Sequence, residues 1–266
     1  MGRDVATLEL GQLKSNWVPL ERVSPPQNTG LIKHTVPEAF ATAMLAWGLL
    51  SFPDKYSTAS SVDAAKQAVK QGTDYLLKLY WVDPLDENTT AVISRVGRVD
   101  VETRYWGRPE DENLPRPAFM VTSNDGASDV AGSVAGALAA GALVFKDENP
   151  SYADTLVKAA EMFWRFGNKT RKSYTETDLD SQYLYNSTSF YDDMAWGAAW
   201  LYRATNNQKY LGEMYNNYVR HVRLEGTVDF HYIFDPTNLF WPTNLVMAQV
   251  CCFCKTTLFD TCIDFF

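Results

Sequence analysis

Cysteine is absent from most of this 266-residue chain: all four stand near the C-terminus, at Cys251, Cys252, Cys254 and Cys262. The body therefore needs no disulfide and uses no thiol chemistry. Histidine is scarcer still, and His34, His221 and His231 are too dispersed to make a metal motif. Positive charge is in deficit, 24 Lys and Arg against 32 Asp and Glu, for a formal net charge of -8. That balance argues against an extended basic surface for nucleic acid. No apolar run reaches the length of a membrane span; the longest, Val134 to Phe145, is of core-helix length. The N-terminus lacks a basic region followed by an apolar one, so no secretory signal is legible there.

What remains is a chain that is 46% hydrophobic, enough for one large domain with a sizeable core. Aromatic residues reach 14%, with 8 Trp and 14 Tyr, a content that suits both an aromatic core and sugar-stacking surfaces. Residues 1 to about 30 show no sustained period and include Pro25-Pro26-Gln27-Asn28-Thr29-Gly30, a loop composition. From Pro37 the pattern becomes helical, with Phe40, Ala43, Met44, Trp47 and Leu50 at helical spacing and Pro53 ending the run. Ser60 or Ser61 is placed to cap a second helix, which Gly72 interrupts at modest cost. Leu85 to Glu112 reads as a long ordered loop with short strands around Val92-Ile93 and Val96 to Val101. Further helices are expected from Ser128, from Pro150, over Ser187 to Ala204 and over Gln208 to about Val222. Helices joined by loops of unequal length predict an all-α fold.

Two stretches carry most of the functional information. Tyr105-Trp106-Gly107-Arg108-Pro109-Glu110-Asp111 reads as a shaped surface loop, since Pro109 fixes its own φ and biases Arg108 away from helix. A rigid indole face beside a planar, multi-donor guanidinium suits a ligand with apolar faces and hydroxyl edges, such as a pyranose ring. A packed structural loop is the competing reading. After Ser123-Asn124-Asp125-Gly126, the pair Ser128-Asp129 opens a run of small and apolar residues up to Phe145. Such a helix has no polar face to give to water and belongs among other helices at close approach. The second stretch runs from Tyr185-Asn186-Ser187 to Asp192-Asp193-Met194-Ala195-Trp196-Gly197-Ala198-Ala199-Trp200-Leu201-Tyr202-Arg203-Ala204-Thr205.

Together these blocks resemble the cellulases of glycoside hydrolase family 9. Members carry Trp-x-Arg-Pro-Glu-Asp, a Pro-Arg pair (here Pro115-Arg116), a Ser-Asp opening an Ala-rich helix, and a Tyr-Asn-Ser block leading into a Trp-rich helix. The resemblance covers roughly Thr35 to Gln249. It implies an (α/α)6 barrel, six inner helices ringed by six outer ones, of which this chain supplies about half. It further implies an endo-1,4-β-glucanase, inverting, with β-1,4-glucan or a cello-oligosaccharide as partner, an extracellular location and no cofactor. Carried over residue by residue, the expected substrate-binding positions are Trp106, Arg108, Arg116, Tyr185 and Asp192. A core aromatic at Tyr185 and helix-start charges at Asp192-Asp193 are the competing readings. The sequons at Asn88, Asn168 and Asn186 agree with an extracellular chain.

The catalytic apparatus is where this sequence departs from the family. Inverting hydrolysis needs a carboxylate base and a carboxylic acid across the scissile bond. The base is expected in an Asp-Ala-Gly-Asp motif shortly before the first inner helix, but the sequence there reads Gln27-Asn28-Thr29-Gly30-Leu31-Ile32-Lys33. The family's C-terminal Glu and its His-containing motif have no counterpart, and His34 replaces an aromatic common in the family. Glu110-Asp111-Glu112 reads as a solvated loop end, so no residue is assigned a catalytic or metal role. The expected organisation is therefore residues 1-34 irregular, 35-249 a partial catalytic domain, and 250-266 an unmatched Cys- and Phe-rich tail. Zinc at that tail is the alternative to apolar coding appended to a truncated protein.

Overall fold

The structure, a computed structural model, describes residues 32–82, 90–108, 111, 113, 115–224 and 235–253, with side chains described up to Gln249. Helix α1 (Thr35–Ser51) is followed by the short α2 (Pro53–Thr58) and by α3 (Val62–Leu76). After an insertion that contains α4 (Val99–Glu102) come α5 (Ser128–Phe145), α6 (Pro150–Thr170), α7 (Tyr191–Thr205), α8 (Gln208–Leu224) and α9 (Phe240–Phe253). Helix α5 packs against α1 on one side, α7 on the other and α6 behind, while α3 backs α1 and α8 backs α7. An inner row of α1, α5, α7 and α9 is thus lined by an outer row of α3, α6 and α8. This is the arrangement expected of part of an (α/α)6 barrel.

Composition explains which helix goes where. In α5 every residue except Leu143 and Val144 is buried, since the Ala and Gly side chains let neighbours close in from all sides. By length and hydropathy α5 could cross a membrane, but 89% of it is buried within the fold and it serves as the core helix. The buried helix extends back beyond the apolar run from Val134, taking in Ser128, Asp129 and Ser133. Outer helix α6 instead buries one stripe, Ala153, Leu156, Ala159, Ala160, Phe163, Trp164, Phe166 and Gly167, at helical spacing. Pro150 occupies its first turn, and the Asn149 side chain caps it by accepting the Tyr152 N–H at 3.1 Å.

The α5–α7 contact is set by glycine. A Cβ on Gly132 would stand 2.5 Å from the Asp193 carbonyl group, and one on Gly197 would stand 2.7 Å from the Gly132 oxygen. Below this crossing, Trp47, Trp196 and Trp200 pack edge to face with centroids 5.6–6.0 Å apart. The Trp47 indole N–H donates to the Gln249 side-chain oxygen at 2.9 Å, and Arg203 donates to the same oxygen at 3.1 Å. The Gln249 amide in turn donates to Ser51 Oγ at 3.4 Å, so the far ends of α9, α7 and α1 meet on one side chain. Helix α9 runs past Gln249, where the sequence reading set a boundary; the cysteine side chains of the tail lie outside the described residues.

The insertion holds a small antiparallel sheet. Strand β3 (Thr90–Val96) pairs with β1 (Lys33–His34), β2 (Tyr80–Val82) and β4 (Ala118–Thr122), the last with a register shift between Ile93 and Arg95. Strands β2 and β4 are not legible in the sequence, and the β-rich run Val96 to Val101 is not one strand. It breaks at Gly97, whose φ of 106° only glycine adopts readily and whose missing Cβ leaves room for the Glu102 carboxylate. The chain then turns into α4.

The crossing gives a paired test. Gly197→Ala should destabilise by about 1–3 kcal/mol, because its methyl would press on the Gly132 carbonyl oxygen, with Ala135 and Trp164 also at 3.3 Å. Gly212→Ala on α8, where a Cβ would have open space to 4 Å on every side, should be neutral or stabilising by roughly 0.5–1 kcal/mol. Urea unfolding of both variants decides; a Gly197→Ala protein as stable as wild type would show that the two helices are not held at that distance.

Candidate functional site

The inner helices run in one direction, as the matched approaches Gly132 to Asp193 and Gly136 to Trp196 require. Their N-terminal ends therefore gather at one end of the row, and the segments entering α5, α7 and α9 cluster there. Strand β1 delivers His34 directly to the start of α1, and Val96 at the end of β3 pairs with Lys33 beside it.

The loop that follows β3 carries the first two expected site residues. Tyr105 lies across Gly107, where a Cβ would come 2.6 Å from its hydroxyl, and that hydroxyl donates to the Arg108 carbonyl at 3.0 Å. With Tyr105 turned inward, Trp106 points away from the protein and is 100% exposed. A packed structural plug is therefore not its role. Arg108 is also exposed and holds Asp111 through two bonds, Nε to Oδ2 at 2.9 Å and Nη2 to Oδ1 at 3.1 Å. Those bonds hold the Asp111 carboxyl below its ordinary range. Arg116 sits deeper, its Nε 3.3 Å from Oε1 of the fully buried Glu102, an oxygen that also accepts the Arg98 N–H. It braces the base of the loop.

The segment entering α7 is pinned at three points. Arg95 on β3 is 1% exposed and binds Asp178 through Nε and Nη2 at 2.9–3.2 Å. Its guanidinium lies 3.4 Å from the centroid of Phe119, and Ser94 and Ser181 also donate to Asp178. Burial pushes the Asp178 carboxyl upward, but the bonds from Arg95, Ser181 and Ser94 outweigh it and hold the group below its ordinary value. Asp129, near the start of α5, accepts the Tyr174 N–H on both oxygens at 3.1 Å. The Tyr174 hydroxyl then donates to the Tyr185 carbonyl at 2.6 Å. Tyr185 is held by its backbone while its side chain stays half-buried, its ring 5.1 Å from that of His34.

Asp192 is buried rather than presented to a ligand. Its Oδ2 accepts the Leu239 N–H at 2.8 Å and its Oδ1 lies 3.6 Å from His221 Nδ1, so it ties the start of α7 to the ends of α8 and α9. Burial raises its pKa, opposed by His221. Its neighbour Asp193 accepts from Ser133 of α5 at 2.5 Å, and burial with the nearby Asp192 and Asp129 raises its pKa well above the ordinary value. Burial likewise pushes the Asp129 carboxyl up to about 6, against bonds from Ser187, Val130 and Tyr174.

This arrangement offers an exposed aromatic face and hydrogen-bonding groups on a braced rim. Among the described residues it offers no pair of open, facing carboxyl groups. The Asn28-Thr29-Gly30 stretch, Glu110, Glu112, His231 and the Asn88 sequon lie outside the described residues. Sequence reasoning missed Arg95, Asp178 and Glu102; it placed Asp129 and Asp193 at helix starts but not the bonds they make to Tyr174 and Ser133. A cation inside the β-rich run Val92 to Val96 was the available signal for Arg95, but its partner stands 83 residues away.

Two outcomes follow from these buried charges. Asp178→Ala strands the Arg95 cation and should cost about 3–5 kcal/mol in chemical denaturation. A loss below 1 kcal/mol would mean the pair is solvated. Asp129 has a folded pKa near 6 against an ordinary 3.8, so the folded state binds a proton first as pH falls. Its contribution to stability must rise from pH 7 down to about pH 4. Wild type should gain on Asp129→Asn by up to about 1.4 kcal/mol per pH unit in that window; a difference flat with pH rules the shift out.

Comparison with known proteins fits this geometry. The sequence pattern described as Glycosyl hydrolase family 9 matches residues 30–260. Endoglucanase 10 of Oryza sativa subsp. japonica is 39% identical over 186 residues, covering 68% of this chain and 29% of that protein. The solved endoglucanase of the termite Nasutitermes takasagoensis superposes with a TM-score of 0.75 at 32% identity, over 83% of this chain and 49% of that one. A cellulase of C. cellulolyticum solved in complex with cellobiose gives 0.70 at 25% identity, over 89% of this chain and 52% of that one. The chain thus spans about a third of its curated relatives, 29% and 39% in two of them, and about half of these solved structures. With the helical rows, the Trp106 loop and the Trp-rich α7 all falling inside the matched span, the chain belongs to glycosyl hydrolase family 9.

Proposed function

We propose that this chain is part of an endo-1,4-β-glucanase-type hydrolase and that its described residues bind β-1,4-glucan without cleaving it. The observation that carries the reading is Trp106: a fully exposed indole, held out by the inward turn of Tyr105, two residues from an exposed guanidinium. An indole face left in water is costly for a fold and useful to a pyranose. In this reading Trp106, Arg108 and Tyr185 contact the sugar, while Arg116 and Asp192 hold the rim from beneath. The cellobiose complex of the C. cellulolyticum cellulase supports the ligand class. The family and the three sequons support action outside the cell on cellulose or a related glucan.

Trp106→Ala should weaken cello-oligosaccharide binding about tenfold or more, given roughly 1 kcal/mol for stacking beyond the buried area. Its melting temperature should not move, because the side chain has no packing to lose. Calorimetric titration with cellotetraose beside a thermal melt separates the two effects, and unchanged affinity would sink the sugar-contact role. Hydrolysis is tested independently. The purified chain should release no reducing sugar from carboxymethylcellulose, since loss of one acid or base alone costs about 10²–10⁴ in rate. Turnover that survives stringent purification would restore a complete site to this chain.

A further inference from the structure

His34 is 0% exposed, and neither of its ring nitrogens has a hydrogen-bond partner among the described residues. Two other buried polar groups on rings are unpaired, the Tyr75 hydroxyl and the Trp200 indole N–H, but each is a single atom at the edge of a large apolar surface. In His34 both polar atoms of the side chain are unpaired. A buried polar group is normally satisfied, and an exception marks a place that something else fills. The imidazole does not cap α1, the 17-residue helix it precedes, and Thr35 next to it spends its hydroxyl on the Ile93 carbonyl at 2.7 Å. Burial, with the Arg95 guanidinium nearby, pushes the ring down to about 4, so at neutral pH it is uncharged. A neutral imidazole carries one donor and one acceptor, whichever tautomer is present.

The position of the ring says what could meet that need. It stands at the N-terminal end of the inner row, where the segments carrying Trp106 and Tyr185 gather. The partly exposed ring packed against it is Tyr185, tilted by 57° at 5.1 Å. Tyr185 is fixed at its carbonyl by Tyr174, while its own hydroxyl has no partner among the described residues. Access to the imidazole from this side requires the Tyr185 side chain to swing aside while its carbonyl stays held by Tyr174. We propose that His34 is a further ligand-binding residue, which hydrogen-bonds a hydroxyl of a sugar ring seated against Tyr185. A hydroxyl both donates and accepts, so it satisfies either ring nitrogen. The assignment rests on the glucan reading above and extends it to a residue the fold itself leaves unsatisfied.

The test uses the full chain, cellotetraose and two variants. His34→Phe keeps an aromatic ring and removes both polar atoms; His34→Gln keeps one donor group and one acceptor. His34→Phe should bind cellotetraose about tenfold more weakly or worse, yet melt at an equal or higher temperature, because the variant no longer buries unpaired polar atoms. His34→Gln should recover part of the lost affinity. Affinity in His34→Phe within twofold of wild type would overturn the assignment and leave the glucan reading intact. A fall in melting temperature that tracks the fall in affinity would overturn it too, since the imidazole would then be a structural group. No binding by the wild-type chain would remove both readings together.

Discussion

The close approach of two backbones at Gly132 and Gly197 is the constraint on which the rest of the structure depends. Ridge-into-groove packing usually keeps helix axes 8–10 Å apart, and glycine and alanine on the facing sides allow the lower end of that range. Because α5 and α7 meet near their starts, both N-terminal ends are brought together along with the side chains they carry. Ser133 reaches Asp193 across the crossing, and Gly136 gives Trp196 a seat against α5. The tryptophan triangle and the Gln249 junction then close the opposite end of the row.

Bringing helix starts together brings their acids together, and the fold uses these as joints. Asp129 holds the Tyr174 N–H, Asp192 holds the Leu239 N–H, and Asp193 holds Ser133. In each case a carboxyl at the positive end of a helix accepts from a segment distant in the chain. The dipole and the N–H donors offset only part of the cost of burial, which is why the acid pKa values rise here. On the sheet side Asp178 follows the opposite course, because a guanidinium lies directly on it. One end of the row thus contains carboxyls that gain from acid and a carboxyl that loses by it, and acid stability is a balance among individually opposed groups.

The inner and outer helices were legible because their chemistry is local. An Ala- and Gly-rich run can only be central, and a stripe such as Ala153, Leu156 and Ala160 can only face inward. The helix start at Pro150 was equally direct, whereas Ser61, placed to cap α3, makes no side-chain cap bond. Trp106 and Arg108 stood in a stretch that Pro109 already marked as a surface loop, and Tyr185 stood out through resemblance. What the sequence withheld is pairing over distance. Nothing near Arg95 names Asp178, nothing near Trp47 names Gln249, and the strand Ala118–Thr122 exists only because β3 gives it an edge. The run after Val96 misled for a different reason: β propensity is overridden where Gly97 takes a positive φ and Glu102 fills the space beside it.

Several departures from ordinary folding rules gather at one end of the row, although the unpaired Trp200 indole N–H lies at the other. A fully exposed indole, an imidazole buried with both nitrogens unpaired and three buried acids lie in the segments that meet the inner helix starts. The outer helices follow ordinary amphipathic patterning, and the far end of the row is tied by well-formed aromatic and amide contacts. A sequence under selection for stability alone would correct such local conflicts, so their gathering at one end supports the proposed placement of the site there. That route does not use the family match, yet it leads to the same loops. The match covers about half of the solved relatives, and the described residues bear a braced, aromatic rim whose buried acids are tied to backbone and side-chain donors. In the proposed reading that rim orients a glucan chain, while the proton transfers of hydrolysis require carboxyl groups that are free to face it.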